Sequence, residues 1–292
     1  MKIPKSIVIQ IWHFFLHLRW HYQLFILSGG FLLGGFLSNG MNTFQFSIQF
    51  LNVHLLLFGG ATAYNSYWDK DEGPIGGLKN PPQMTSWMLP ASVVIQLSGL
   101  LFAFKAGALF TVIYLISMLF FWLYSSPVAR WKGHPIKSLF AIGISTGCNS
   151  VLMGYLAAGN NLPDFIVLMA AVGVTLILLS LYPVSQIYQR DEDEKRGDQT
   201  FAIRYGTLTV KRFFERSFFS GLFITASSMA LHHALTGILF GVVGSIAGLI
   251  IRFQLKKLGH EKESYIRVMN IKYGTSLAFV SFLMIALLLK YF

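Results

Sequence analysis

The chain has 292 residues, of which 54% are hydrophobic and 15% aromatic, while only 12% are charged; a soluble domain carries about 25% charged residues. Its mean hydropathy is +0.57, and one cysteine, Cys148, allows no internal disulfide. Disordered, fibrous and disulfide-scaffold classes are excluded, and a polytopic membrane protein remains.

In chain order, residues 3–20 (IPKSIVIQIWHFFLHLRW) come first. His13, His17 and Arg19 interrupt the apolar run, and no small-residue cleavage site follows, which argues against a signal peptide. The expectation is an amphipathic helix over 1–20 lying in the membrane interface, with Trp12 and Trp20 at headgroup depth. A spanning helix needs roughly 20 mostly apolar residues. Nine segments qualify, at about 22–40, 44–66, 86–104, 107–127, 138–159, 163–188, 213–231, 235–253 and 270–290. The first holds Gly29, Gly30, Gly34 and Gly35, a pattern suited to close helix packing. One membrane domain over 1–292 is expected.

Of the 23 Lys and Arg residues, all but Lys105 and Lys290 fall in or beside the N-terminal segment and the connections after segments two, four, six and eight. The positive-inside rule makes that side cytoplasmic, with the N-terminus inside and, for nine crossings, the C-terminus outside. The net charge of +11 therefore reads as topology and attraction to a lipid bilayer, with no nucleic acid as partner. A multi-pass protein of a cell inner membrane is expected.

The acids, few in number, cluster on that same side. Asn65-Ser-Tyr-Trp-Asp69-Lys-Asp71-Glu72-Gly73 closes the second segment, and Gln186-Ile-Tyr-Gln189-Arg190-Asp191-Glu192-Asp193-Glu194 closes the sixth. Asn65 and Asp69 are four residues apart, as are Gln189 and Asp193, so each pair shares a helix face. Two such pairs facing each other supply hard oxygen ligands of the kind Mg²⁺ takes, with waters and substrate phosphates completing its octahedron. Carboxylates at a helix C-terminus oppose the dipole, a conflict that a metal ion resolves. The plainer alternative is solvated loop acids balanced by Lys70, Arg190, Lys195 and Arg196.

A third segment, Tyr124-Ser-Ser-Pro127-Val-Ala-Arg130-Trp-Lys132, follows the fourth span. Arg130 offers a planar fork and Lys132 a point charge for phosphate oxygens; flanking topogenic charge is the alternative. Within the spans, Asn52 and Gln96 are read as packing residues. Asn149, beside Gly143, Gly147 and Gly154, is read as facing a cavity.

Together these three segments resemble the UbiA-type intramembrane prenyltransferase superfamily. The family's first motif, N-D-x-x-D-x-x-x-D, aligns with Asn65-Ser66-x-x-Asp69-x-x-x-Gly73. Its second, D-x-x-x-D-x-x-x-G-x-x-T followed by R-x-G, aligns with Gln189-x-x-x-Asp193-x-x-x-Gly197-x-x-Thr200 and Arg204-Tyr-Gly206. Its Y-S-x-P-x-x-R-x-K stretch is matched from Tyr124 to Lys132. The resemblance implies an all-α bundle of nine transmembrane helices and Mg²⁺-dependent transfer of a prenyl group from a polyprenyl diphosphate. The hydrophobic acceptor would be of quinone, haem, chlorophyll or carotenoid type. It further implies Asn65, Asp69, Gln189 and Asp193 as metal ligands, Arg130 and Lys132 on the diphosphate, and Tyr124, Asn149, Gln186 and Gln189 in substrate binding. Ser66, Gly73 and Gln189 stand where the family has acids, which leaves the number of metal ions open. Two other readings compete. A cation-coupled transporter would show internal repeats and a midplane site, and neither is visible in the sequence. A catalytically silent, lipid-binding relative would account for the missing acids.

Overall fold

The computed structural model describes residues 5–159, 162–258 and 264–291. Among these residues the regular structure is helical throughout, apart from one isolated bridge between Ile75 and Leu78. Helix α1 (Lys5–Leu18) exposes Ile7, Ile11, Trp12 and Phe15 on one side. On its other side Phe14 and Leu18 pack with Ala63 and Met88.

Nine helices follow among the described residues: α2 (residues 20–36), α3 (Thr43–Asp69), α4 (Met88–Ala106), α5 (Ala108–Ser125), α6 (Pro135–Ala157), α7 (Phe165–Lys195), α8 (Phe201–His232), α9 (Ala234–Lys256) and α10 (Ser264–Tyr291). Among the described residues seven of them, α3 to α7, α9 and α10, are long and apolar enough to cross a membrane. Seven of the nine expected spans thus meet the criterion of length and composition, and the exact count of nine is not confirmed by it. Helix α2 is too short. Helix α8 carries Arg204, Lys211, Arg212, Glu215 and Arg216 in its first half, and its backbone breaks at Gly206 (φ 77°, ψ 163°).

Among the described residues three helices contain a π-helical stretch, a widened turn that often accompanies a functional site. These are Gln23–Leu27 in α2, Asn52–Phe58 in α3 and Gly143–Cys148 in α6. Each stretch contributes a wall residue to the central cavity described below: Gln23, Phe58 and Thr146 respectively. Glycine sets the closest approach, between α2 and α6. A Cβ on Gly34 would run into Val151 O, and one on Gly154 into Phe31 O. Side-chain polar bonds fix other crossings: Asn52 Nδ2 donates to Gly99 O at 2.9 Å, and Tyr114 OH to Gln96 O at 2.9 Å.

Helix α7 has 31 residues, starting where the Asp164 carboxylate accepts from the Val167 N–H. At 1.5 Å per residue it is roughly 46 Å long, more than the ~30 Å hydrocarbon thickness, so its polar final turns extend beyond the apolar zone. Those turns carry Gln186 to Glu194. Across the molecule, Lys290 of α10 donates to Phe36 O at 2.7 Å and Ser38 O at 2.5 Å, tying the last helix to the end of α2.

Candidate active site

Three residues of the described chain other than glycine have positive φ: Arg19 (49°), Lys70 (52°) and Arg130 (41°). A left-handed turn costs an L-residue about 1–2 kcal/mol, so tertiary contacts must hold each one. All three border the same region. Lys70 terminates α3, its N–H returning to Ser66 O at 3.1 Å, so Asp69 is the final helical residue. Arg130 follows the Ser126-Pro127 break after α5, and Arg19 forms the corner between α1 and α2.

The acidic segments meet here. Asp69 forms an ion pair with Lys132, and both side chains are buried. Arg196, at the end of α7, joins both segments. Its Nη1 donates to Asp71 Oδ1 at 2.6 Å and its Nη2 to Asp193 Oδ1 at 2.8 Å. Burial works against the Arg196 charge, but Asp71 and Asp193 outweigh it and raise the guanidinium above its ordinary range. Arg130 forks onto Asp198 with Nε–Oδ1 at 2.7 Å and Nη2–Oδ2 at 2.8 Å, and this bonding raises its basicity further. A direct backbone link completes the junction: Gly73 N–H donates to Glu192 Oε1 at 2.7 Å.

These contacts lie at one end of a cavity of about 280 Å³. Its polar end is formed by Asn65, Asp69, Lys132, Gln189, Asp193 and Arg196. Its far end is walled by apolar side chains that include Leu27, Phe58, Phe121, Ile177, Leu181 and Phe279. Such a chamber accepts an anionic head at one end and a hydrocarbon tail at the other.

Asn65, Asp69, Tyr124, Lys132, Gln186, Gln189 and Asp193, which the sequence singles out, all line this cavity. Asn65 Nδ2 donates to Ser125 Oγ at 3.1 Å, and Tyr124 and Tyr182 share an O–H···O contact of 2.9 Å. Gln186 Oε1 also accepts the Ala202 N–H at 3.2 Å, holding the start of α8 beside α7. Two expected residues lie elsewhere. Arg130 stands behind the wall, its fork engaged by Asp198. Asn149 bridges helices, donating to Ser117 Oγ at 2.8 Å, while its neighbour Ser150 and Thr146 line the cavity.

Sequence reasoning missed Arg19 and Asp198. Arg19 is buried, lines the cavity, and donates to Gly76 O (3.1 Å), Thr62 O (3.2 Å) and Ser66 Oγ (3.0 Å). Burial lowers its basicity. An arginine inside an apolar interfacial stretch was the available signal. Ser66 is buried against it and is not a wall residue.

Among the described residues no group of three or more His, Cys, Asp or Glu side chains is gathered as a ready metal cluster. The oxygen donors that line the cavity include four carboxylates, Asp69, Asp71, Asp193 and Asp198, and the amides of Asn65 and Gln189; Asp71 is engaged by Arg196 and Asp198 by Arg130, and Asp69, Asp193, Asn65 and Gln189 share the helix faces of the two segments. That set fits one Mg²⁺, an ion held by one or two carboxylates with waters and substrate phosphates supplying the remainder.

A helical membrane bundle enclosing a polar-headed, apolar-tailed chamber is the class of protein that fold and site define. The sequence profile of the UbiA prenyltransferase family matches residues 24–283, and the chain belongs to that family. Solved structures agree in fold. A UbiA homolog from Archaeoglobus fulgidus bound to GPP and Mg²⁺ is 13% identical, with a TM-score of 0.73 over 94% of this chain and 99% of that one. The same homolog bound to DMAPP and Mg²⁺ gives a TM-score of 0.71 over 94% and 98%. A structure described for digeranylgeranylglyceryl phosphate synthase is 18% identical, with a TM-score of 0.64 over 95% and 99%. None of the curated proteins matches the chain. Prenyl transfer is the reaction of the family, and its members are integral membrane proteins.

Proposed function

We propose that this chain transfers a prenyl group from a polyprenyl diphosphate to a hydrophobic acceptor of aromatic or lipid-like type within the membrane. The observation that carries this reading is one cavity lined by Lys132 and by carboxylate and amide oxygens from the ends of α3 and α7, and by apolar side chains from the preceding turns of the helices. The Archaeoglobus fulgidus homolog is described with GPP or DMAPP and Mg²⁺, the ligands that such a chamber suits.

In this reading Asn65, Asp69, Gln189 and Asp193 hold Mg²⁺, directly or through water. When bound, that ion neutralises diphosphate charge and favours its departure. Lys132 adds a compact positive charge on the leaving oxygens and is already placed by its pair with Asp69. Breaking the allylic C–O bond leaves positive charge on the prenyl carbon, and Phe58 and Phe121 line the adjoining wall, where ring faces can stabilise it. Tyr124 closes the wall beside them. The apolar helices exclude water from that charge, so the acceptor rather than water takes the prenyl group. Arg130 acts on the site through Asp198. The positive-inside rule supports a cytoplasmic diphosphate end in this reading, with the protein in a cell inner membrane.

The deciding experiment is thermal unfolding of the detergent-solubilised protein with geranyl, farnesyl or geranylgeranyl diphosphate, with and without Mg²⁺. Ligand that binds only the folded state raises the melting temperature. Mg²⁺-dependent stabilisation that disappears in Asp69→Ala is expected, with prenyl transfer falling at least ~100-fold in that variant. Absence of stabilisation by all three diphosphates would favour the second reading, a silent lipid-binding relative. That reading draws on the pairing of Asp69, Asp71 and Asp193 with cations of the chain itself.

A further inference from the structure

We propose that the guanidinium of Arg196 is a built-in cation in the place of a second divalent ion, so that one Mg²⁺, not two, accompanies the diphosphate. The inference rests on the prenyl-diphosphate reading above and deepens it. Three independent observations support it.

The first is where Arg196 sits. It contacts carboxylates from both acidic segments, Asp71 after α3 at 2.6 Å and Asp193 on α7 at 2.8 Å, and its Nη1 lies 3.4 Å from the Asp69 carbonyl. Its Nε is 3.6 Å from Asp198 Oδ2. A single cation thus links Asp69 and Asp71 of the first segment to Asp193 of the second and approaches Asp198 beyond it, which is the part a bridging metal ion would play.

The second is Gly73, where the family's motif carries an acid. Its N–H binds the Glu192 carboxylate, and a Cβ on this residue would collide with that same oxygen. An acidic side chain has no room here unless Glu192 moves, and the two segments are clasped without metal.

The third is Gln189, one helical turn before Asp193 on the face that lines the cavity. Its amide presents a neutral oxygen where the family has a carboxylate, and neutral oxygen binds a divalent ion more weakly.

Charge closes the argument. Lys132 balances Asp69, and Arg196 is shared by Asp71 and Asp193. A second divalent ion entering there would face the guanidinium at close range in a poorly screened setting, where like charges repel strongly. Arg196 therefore acts as a positioning residue that holds the two segments together and fixes the metal count.

The test counts ions directly. The full-length protein in detergent is loaded with farnesyl S-thiolodiphosphate, an unreactive substrate analogue, and titrated with Mn²⁺ followed by electron paramagnetic resonance. One Mn²⁺ per chain with an uncoupled six-line spectrum is expected. Arg196→Gln should take up a second Mn²⁺ and show spin coupling, whereas Arg196→Lys, which keeps the charge, should retain one. Two coupled Mn²⁺ ions in the wild-type protein would overturn the inference and leave prenyl-diphosphate binding intact. A count of one in Arg196→Gln with the analogue still bound would also overturn it. Should Arg196→Gln not fold, the wild-type and Arg196→Lys counts decide alone. If the wild-type protein binds neither analogue nor Mn²⁺, the prenyl-diphosphate reading itself fails and this inference with it.

Discussion

Ser66 looks like a lost ligand when its motif is read as a string, but it is one residue beyond Asn65 and so about 100° around the helix from it. In the structure it is buried and accepts from Arg19 at 3.0 Å. Arg19 Nη1 and Nη2 also donate to backbone oxygens of Gly76 and Thr62, while its buried Nε has no partner among the described residues. Arg19→Gln should therefore destabilise the protein by roughly 3 kcal/mol, because several charge-assisted hydrogen bonds are lost and their buried partners stranded. A melting curve in detergent reads this directly, and an unchanged melting temperature would contradict it. His17 permits a second test at this scale. Its Nε2 lies 2.8 Å from Pro82 O, and burial lowers its pKa to about 4. The unfolded chain has the ordinary value near 6.5, so it binds the proton first as pH falls. The neutral His17 contribution is complete above about pH 6.5 and is lost as pH drops from there toward 4. His17→Asn should melt less steeply with acid than the wild-type protein over that window; parallel curves would dismiss His17 as the cause.

At the scale of elements, the α2–α6 crossing depends on absent side chains. Gly34 and Gly154 each face a backbone oxygen of the opposite helix, which cannot rotate away as a side chain could. Gly154→Ala should cost about 1–3 kcal/mol through overpacking, and Gly154→Leu should prevent assembly. Relative melting temperatures of the two variants test the order. The glycine richness of both segments was legible beforehand, since small residues recur where membrane helices touch. The π stretches were not, because widening depends on how side chains from neighbouring helices fill the space beside each turn. The two expected spans that do not meet the criterion of length and composition, α2 and α8, differ for a related reason. Hydropathy sums a window, whereas α2 is shortened by its corner at Arg19 and α8 by its break at Gly206 and its charged first half.

For the whole molecule, the length of the apolar tunnel sets which donors fit. Ile177 of α7 lines its far part, and Ile177→Trp would fill that space. Geranyl diphosphate should still raise the melting temperature of this variant, while the shift caused by geranylgeranyl diphosphate should largely vanish. Equal loss for both would place the tail elsewhere. The sequence by itself determined the membrane class, the helical architecture and the two polar faces of the site. Each of these follows from composition or from helical period, properties that are local along the chain. Tertiary structure alone decided which charge neutralises which: Lys132 on Asp69, Arg130 withdrawn to Asp198, and Arg196 bridging to Asp71, 125 residues away. It also turned Asn149 toward Ser117 and brought Arg19 into the wall. Ion pairs and hydrogen bonds depend on separations of a few tenths of an ångström, and those are set only when the helices pack.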